Sequence, residues 1–157
     1  YYKMIKCDTF RNNFLYLLFK AFLPLLMGGM IYIIFRTDSL LMFKWIEQLD
    51  LKGTVISVRD IAGLYNTENY KIIIHTLPGG LWFYSYIAFL LLIWENEINR
   101  NNIIYFILVP AAAVLSEFLQ LAGIIRGTFD ILDVVFYFSG IIFPFLIHFK
   151  KIKFKTK

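Results

Sequence analysis

Residues 102–149 read NIIYFILVPAAAVLSEFLQLAGIIRGTFDILDVVFYFSGIIFPFLIHF, and this stretch decides the fold. Two apolar runs, 102–125 and 131–149, flank a short turn that carries Arg126 between Gly123 and Gly127. At about 1.5 Å rise per helical residue, each run can cross a hydrocarbon core of about 30 Å. Helix is the expected form, because backbone N–H and C=O groups in lipid must be bonded within their own segment or in a closed barrel. Outward from this pair, the runs at 77–94 and about 14–35 have the same character, the former being only just long enough. Phe14 to Phe35 is too long for a signal-peptide core and reads as a retained first span.

The composition agrees. The 157 residues are 59% hydrophobic and 17% charged, with a mean hydropathy of +0.65. Soluble domains carry about 45–50% apolar and about 25% charged residues. A soluble globule and a disordered tail are thereby excluded, and the single cysteine, Cys7, excludes an internal disulfide framework. The net charge of +5 owes much to Lys150, Lys151, Lys153, Lys155 and Lys157 at the end of the chain. That cluster marks a membrane flank and no nucleic-acid face. Four spans place both termini on one side, and Lys3, Lys6, Arg11 and the lysine tail make that side the cytoplasm.

The expected fold is all-α: one polytopic domain over residues 1–157, an integral membrane four-helix bundle. The external connection, 36–76, should hold an amphipathic interfacial helix. There Leu41, Met42, Trp45, Ile46 and Leu49 share one face, opposite Lys44, Glu47 and Gln48, behind an Asp38 or Ser39 cap. The β-branched run Thr54 to Val58 admits a strand.

Chemistry enters where polar residues interrupt the spans. Glu117 and Gln120 share a helical face, and a charge at a helix centre in the bilayer costs about 2.5–3.5 kcal/mol or more. Asp130, Asp133, Tyr137 and Gly140 form a second stripe across the turn, so the two stripes should face each other. Arg126 lies between them, placed to bridge Glu117 or Asp130 and to offer spare donors to an oxyanion or a lipid phosphate. The second span enters from the same side, through Pro78, Gly79 and Gly80 to Trp82, Ser85 and Tyr86, with His75 just before.

The candidate ligand-binding set is therefore Glu117, Gln120, Arg126, Asp130, Asp133, Tyr137, Trp82 and Tyr86. Glu117, Asp130 and Asp133 are also the candidates for acid–base catalysis, which needs two carboxyl groups of separated proton affinity. The competing reading is a buried polar network that only locks two helices together. No phosphate loop, nucleophile elbow or His-rich ligand motif occurs, so no cofactor and no metal is expected. The expected partners are membrane lipids, a lipid-linked cell-wall ligand and a membrane protein docked through residues 36–76, with no nucleic acid.

The series Glu117-x-x-Gln120, Arg126, Asp130-x-x-Asp133 and Gly140 resembles the signature of the VanZ-like membrane proteins, E-x-x-Q, R, D-x-x-D-x-x-x-N-x-x-G. The likeness is good from Glu117 to Gly140 and loose from Leu77 to Leu146. It departs at Tyr137, where the family has Asn, and at Trp82, where it has a His four residues before a Tyr, here Tyr86. The resemblance implies a multi-pass protein of the bacterial plasma membrane and cell envelope, associated in the best-known case with low-level antibiotic resistance to teicoplanin. A non-catalytic accessory subunit of a larger membrane complex is the alternative.

Overall fold

The computed structural model describes residues 17–36, 41–63 and 71–155. Expectations resting on Cys7, the N-terminal basic residues, the Asp38 or Ser39 cap and Lys157 lie outside these residues. Helix α1 (Leu17–Phe35) begins with a π-helical turn over Leu17–Phe22 and is followed by the short helices α2 (Leu41–Gln48) and α3 (Lys52–Gly63). Helix α4 (Lys71–Ile93) leads to strand β1 (Glu97–Asn99), then α5 (Ile103–Leu121), α6 (Ile131–His148), a single 3-10 turn (Phe149–Lys151) and β2 (Lys153–Lys155). Four helices, with α4 contributing Ile73–Ile93, are long and apolar enough to cross a membrane.

Helix α4 is central: half of it is buried, whereas α1, α5 and α6 turn most of their apolar surface outward. Glycines set its close contacts. Gly28 of α1 meets the Trp82 indole, Gly79 lies under the Tyr137 ring, and Gly140 of α6 rests on the backbone carbonyl of Gly80. Small residues let helix backbones approach where lipid supplies no hydrophobic force between helices. Helix α5 packs sparsely, burying Phe106, Pro110 and Glu117, with its aromatic contacts near its start. There Trp94 stacks on Tyr105, Phe106 meets Phe145, and the Tyr86 hydroxyl donates to the Tyr105 carbonyl at 2.7 Å. The apolar core, built on Ile87, Leu91, Ile98 and Phe106, sits at this end of the helices.

The structure corrects several boundaries. The all-α expectation omits the parallel β1–β2 pair, in which Glu97 faces Lys153 and Asn99 faces Lys155. The two segments leave α4 and α6 at the same end of the molecule, so each finds its ladder partner in the other. The helix of the second span starts at Lys71 and its apolar part at Ile73, rather than at 77, with Pro78 inside the helix. Burial of Thr76 and Pro78 against neighbouring helices outweighs the hydrogen bond that proline forfeits. The third span stops at Leu121 rather than 125 because Gly123 takes φ +69. The amides of Gly123 and Ile124 then bond back to Gln120 and Leu119, closing a Schellman turn.

Thr54 to Val58, where a strand was admissible, is helical within α3. Thr54, Val55 and Val58 line a small hollow with Met30, Ile33 and Ile34 of α1, so α3 rests on α1 without a buried core of its own. Arg59 fixes the arrangement: its guanidinium donates to the carbonyls of Ile33 and Arg36, the open end of α1, and lies over the Phe43 ring. Trp45 and Leu49 of the α2 segment are exposed.

At the other end, Lys155 donates to Glu97 across β1–β2 at 2.7 Å. That hydrogen bond, aided by the charges of Lys155 and Lys153 and opposed by slight desolvation, holds the Glu97 carboxyl below its usual range. Since the folded value is the depressed one, the pairing is in place above the ordinary glutamate pKa and is lost as pH falls through the lowered value. Amide exchange in β2 should therefore stay protected from neutral pH down to the ordinary glutamate range and lose protection below it. Lys155→Ala should return the Glu97 titration to that range; an unchanged titration would show that the pair does not set it.

Candidate functional site

Away from the β1–β2 end the helices diverge and enclose a cavity of about 690 Å³. Volumes of this size are typical of small-ligand sites. Helix α1 contributes Tyr32 and Arg36, and α4 contributes His75, Thr76, Trp82, Phe83 and Tyr86. From α5 come Val109, Ala113, Glu117 and Gln120. The following turn adds Gly127, Thr128 and Asp130, and α6 adds Asp133 and Tyr137. The two stripes read from the sequence thus meet in one space, joined by groups from α1 and α4.

Glu117 is the most enclosed ionisable group of the site, with 4% of its surface exposed. The Tyr137 hydroxyl donates to its Oε1 at 3.3 Å, while Oε2 is buried without a hydrogen-bond partner. Tyr137 is held by Gly79 beneath it and by Phe83, whose ring centroid is 5.0 Å away. This is the position at which the VanZ-like pattern has Asn, and the phenol supplies a donor there. Asp133 lies one helical turn away, within electrostatic reach of Glu117, Asp130 and Arg36.

Asp130 has a structural duty. Its Oδ1 accepts from the Leu132 amide at 2.8 Å, the bond of an N-cap at the start of α6. One oxygen is thereby committed to the backbone, as one oxygen of Glu117 is to Tyr137, and each carboxylate keeps its second oxygen. Gln120 packs beside Gly127, where any side chain at 127 would collide with its amide.

The guanidinium that lines the cavity comes from Arg36, which the sequence reading did not single out. Arg126 is exposed in the turn and is not among the residues that line the cavity. Among the described residues no ion pair joins it to Glu117 or Asp130. Arg36, the first residue beyond α1, lies over the Tyr32 ring with 5.3 Å to its centroid, and its Nη2 donates to the His75 carbonyl at 3.2 Å. Its Nε is buried without a partner. The signal for it was present in part: Gly28 and Gly29 marked α1 as a close-packing helix, and Arg36 is the first charge after that apolar run.

The lining therefore pairs an orphaned buried donor with an orphaned buried acceptor and contains three carboxylates to one guanidinium. Such an arrangement can orient a ligand that bears both an acceptor and a donor. Trp82, 5.2 Å from Tyr32 by ring centroids, and Tyr86 form its apolar floor. Among the described residues no group of three or more His, Cys, Asp or Glu side chains is arranged to hold a metal ion. No protein-family model, curated protein or solved structure matches the chain.

Proposed function

We propose that this chain is a VanZ-like cell-envelope protein of the bacterial plasma membrane that binds a lipid-linked or glycopeptide-type ligand in the polar cavity. In this reading α1, α4, α5 and α6 form a four-helix membrane bundle with both termini cytoplasmic. Helix α2 lies in the outer interface, and the cavity opens in the outer leaflet. The observation that carries the proposal is that Glu117 and Arg36, each with one buried atom that has no hydrogen-bond partner (Oε2 and Nε), line the same 690 Å³ space. A buried polar group without a partner costs about 1–3 kcal/mol, and more when charged. A ligand that satisfies both atoms recovers that cost on binding. A network serving only to lock helices, as an accessory subunit would have, consumes its polar atoms internally; here two are left over and space remains beside them.

The test is mass spectrometry of the lipids and metabolites that remain with the purified full chain, set against the Glu117→Gln variant. A species retained by the native protein and depleted in the variant is the expected result. Identical retention in the two would sink the ligand reading.

A further inference from the structure

A second hollow adjoins the polar cavity. It measures about 510 Å³, lies between α1 and α4, and is lined by Leu18, Phe22, Leu25 and Phe89 together with Trp82 and Tyr86. Those two aromatic residues belong to both spaces, so the polar cavity and the apolar groove adjoin at their side chains. From His75 to Phe89 along α4 the combined track covers 14 residues, or about 21 Å at about 1.5 Å per residue. It descends from the polar end of the helices toward the β1–β2 end, as a lipid descends from its headgroup. Helix α5 makes few contacts with α4 and α6 and contributes no residue to the apolar groove.

The polar end also constrains the headgroup. Arg36 Nε calls for an acceptor, Glu117 Oε2 for a donor, and the carboxylates Glu117, Asp130 and Asp133 outnumber the guanidinium. A purely anionic headgroup would satisfy the arginine and be repelled by the carboxylates. A headgroup with both a phosphate and an ammonium satisfies both poles.

We infer that the ligand is a zwitterionic membrane lipid of the phosphoethanolamine class, its phosphate at Arg36, its ammonium at Glu117 and Asp133, and an acyl chain along the α1–α4 groove. This rests on the proposed function, since it names the class of ligand taken by the same cavity.

The experiment titrates the full chain in detergent with palmitoyl lysophosphatidylethanolamine and with palmitoyl lysophosphatidylglycerol, which shares the chain and phosphate but lacks the amine. Soluble phosphoethanolamine is the tail-free control. The native protein should favour the ethanolamine lipid over the glycerol lipid by roughly tenfold or more, and bind the tail-free compound more weakly still. Glu117→Gln should erase the headgroup preference, with Asp133→Asn as a second variant in case the first fails to fold. Leu25→Trp, which fills the groove from an exposed position, should weaken both lipids while keeping the preference. Equal affinity for the two lipids, or a preference that survives both acid-to-amide changes, overturns the headgroup assignment. Unchanged affinity in Leu25→Trp overturns the chain path. If a Glu117-dependent species co-purifies but is not an amine-bearing lipid, this inference falls and the ligand-binding function stands; if no such species exists, both fall.

Discussion

Replacing Gly140 with valine is expected to prise α6 from α4 and to lower the unfolding temperature in detergent by roughly 6–12 °C. A side chain at 140 would run into the backbone carbonyl of Gly80 and, at 3.1 Å, into Cβ of Phe83. Neither obstacle is the flexible end of a side chain, so relief requires moving a helix axis. Overpacking of this kind costs about 3 kcal/mol, the upper part of the usual range. The damage should also reach the cavity, because Tyr137 rides on the same α4–α6 contact, over Gly79. Gly29→Ala is the matched control: a methyl group there meets nothing within 4 Å. It should leave the unfolding temperature unchanged or slightly raised, since alanine favours helix over glycine by about 0.8–1 kcal/mol. Equal unfolding temperatures for Gly140→Val and the native chain would show that the α4–α6 contact does not hold the structure together.

The second large effect separates two arginines. Arg36→Ala should weaken ligand retention by roughly 10- to 150-fold, the equivalent of about 1.5–3 kcal/mol for a hydrogen bond to a charged group. Arg126→Ala should change it by less than about 0.5 kcal/mol, as expected of an exposed surface position. Arg36 also bonds the His75 carbonyl, so its truncation loosens α1 against α4. Arg36→Lys keeps the charge and loses the planar fork, and an intermediate loss is expected from it. Ligand retention by each purified variant, with unfolding temperatures alongside, is the measurement. A larger loss in Arg126→Ala than in Arg36→Ala would return the site's cation to the α5–α6 turn.

The polar stripes were legible because they depend on spacing along single helices. Glu117 with Gln120, and Asp133 with Tyr137, stand three and four residues apart, and helical geometry alone places each pair on one face. That the stripes meet followed from the short turn between α5 and α6. Arg126 misled for a related reason. Proximity in sequence to Glu117 and Asp130 suggested proximity in space, yet Gly123 ends α5 early with φ +69 and Ile124, Ile125 and Arg126 are exposed, while Gly127, Thr128 and Asp130 return to the cavity. Arg36 is 81 positions before Glu117 by number. It enters only because α1 packs on α4 through Gly28 and Trp82, a contact no local pattern encodes.

The sequence by itself determined the four apolar helices, the scarcity and clustering of charge, and the two polar faces of α5 and α6. Each of these depends on hydropathy and on the period of one helix, quantities that every segment carries alone. Only the tertiary structure decided that α4 is central, that Thr54 to Val58 is helical, that β1 pairs with β2 and that Arg36 lines the cavity. Those outcomes depend on which backbones approach closely enough to exclude a side chain, and on which unpaired carbonyls and amides find partners far away in the chain. The same physics divides the charges noted at the outset. Lys150, Lys151, Lys153 and Lys155 are exposed, Lys155 pairing with Glu97, while Glu117 is buried and Arg36 half-buried between helices brought together through glycine contacts, each with a buried polar atom left to satisfy.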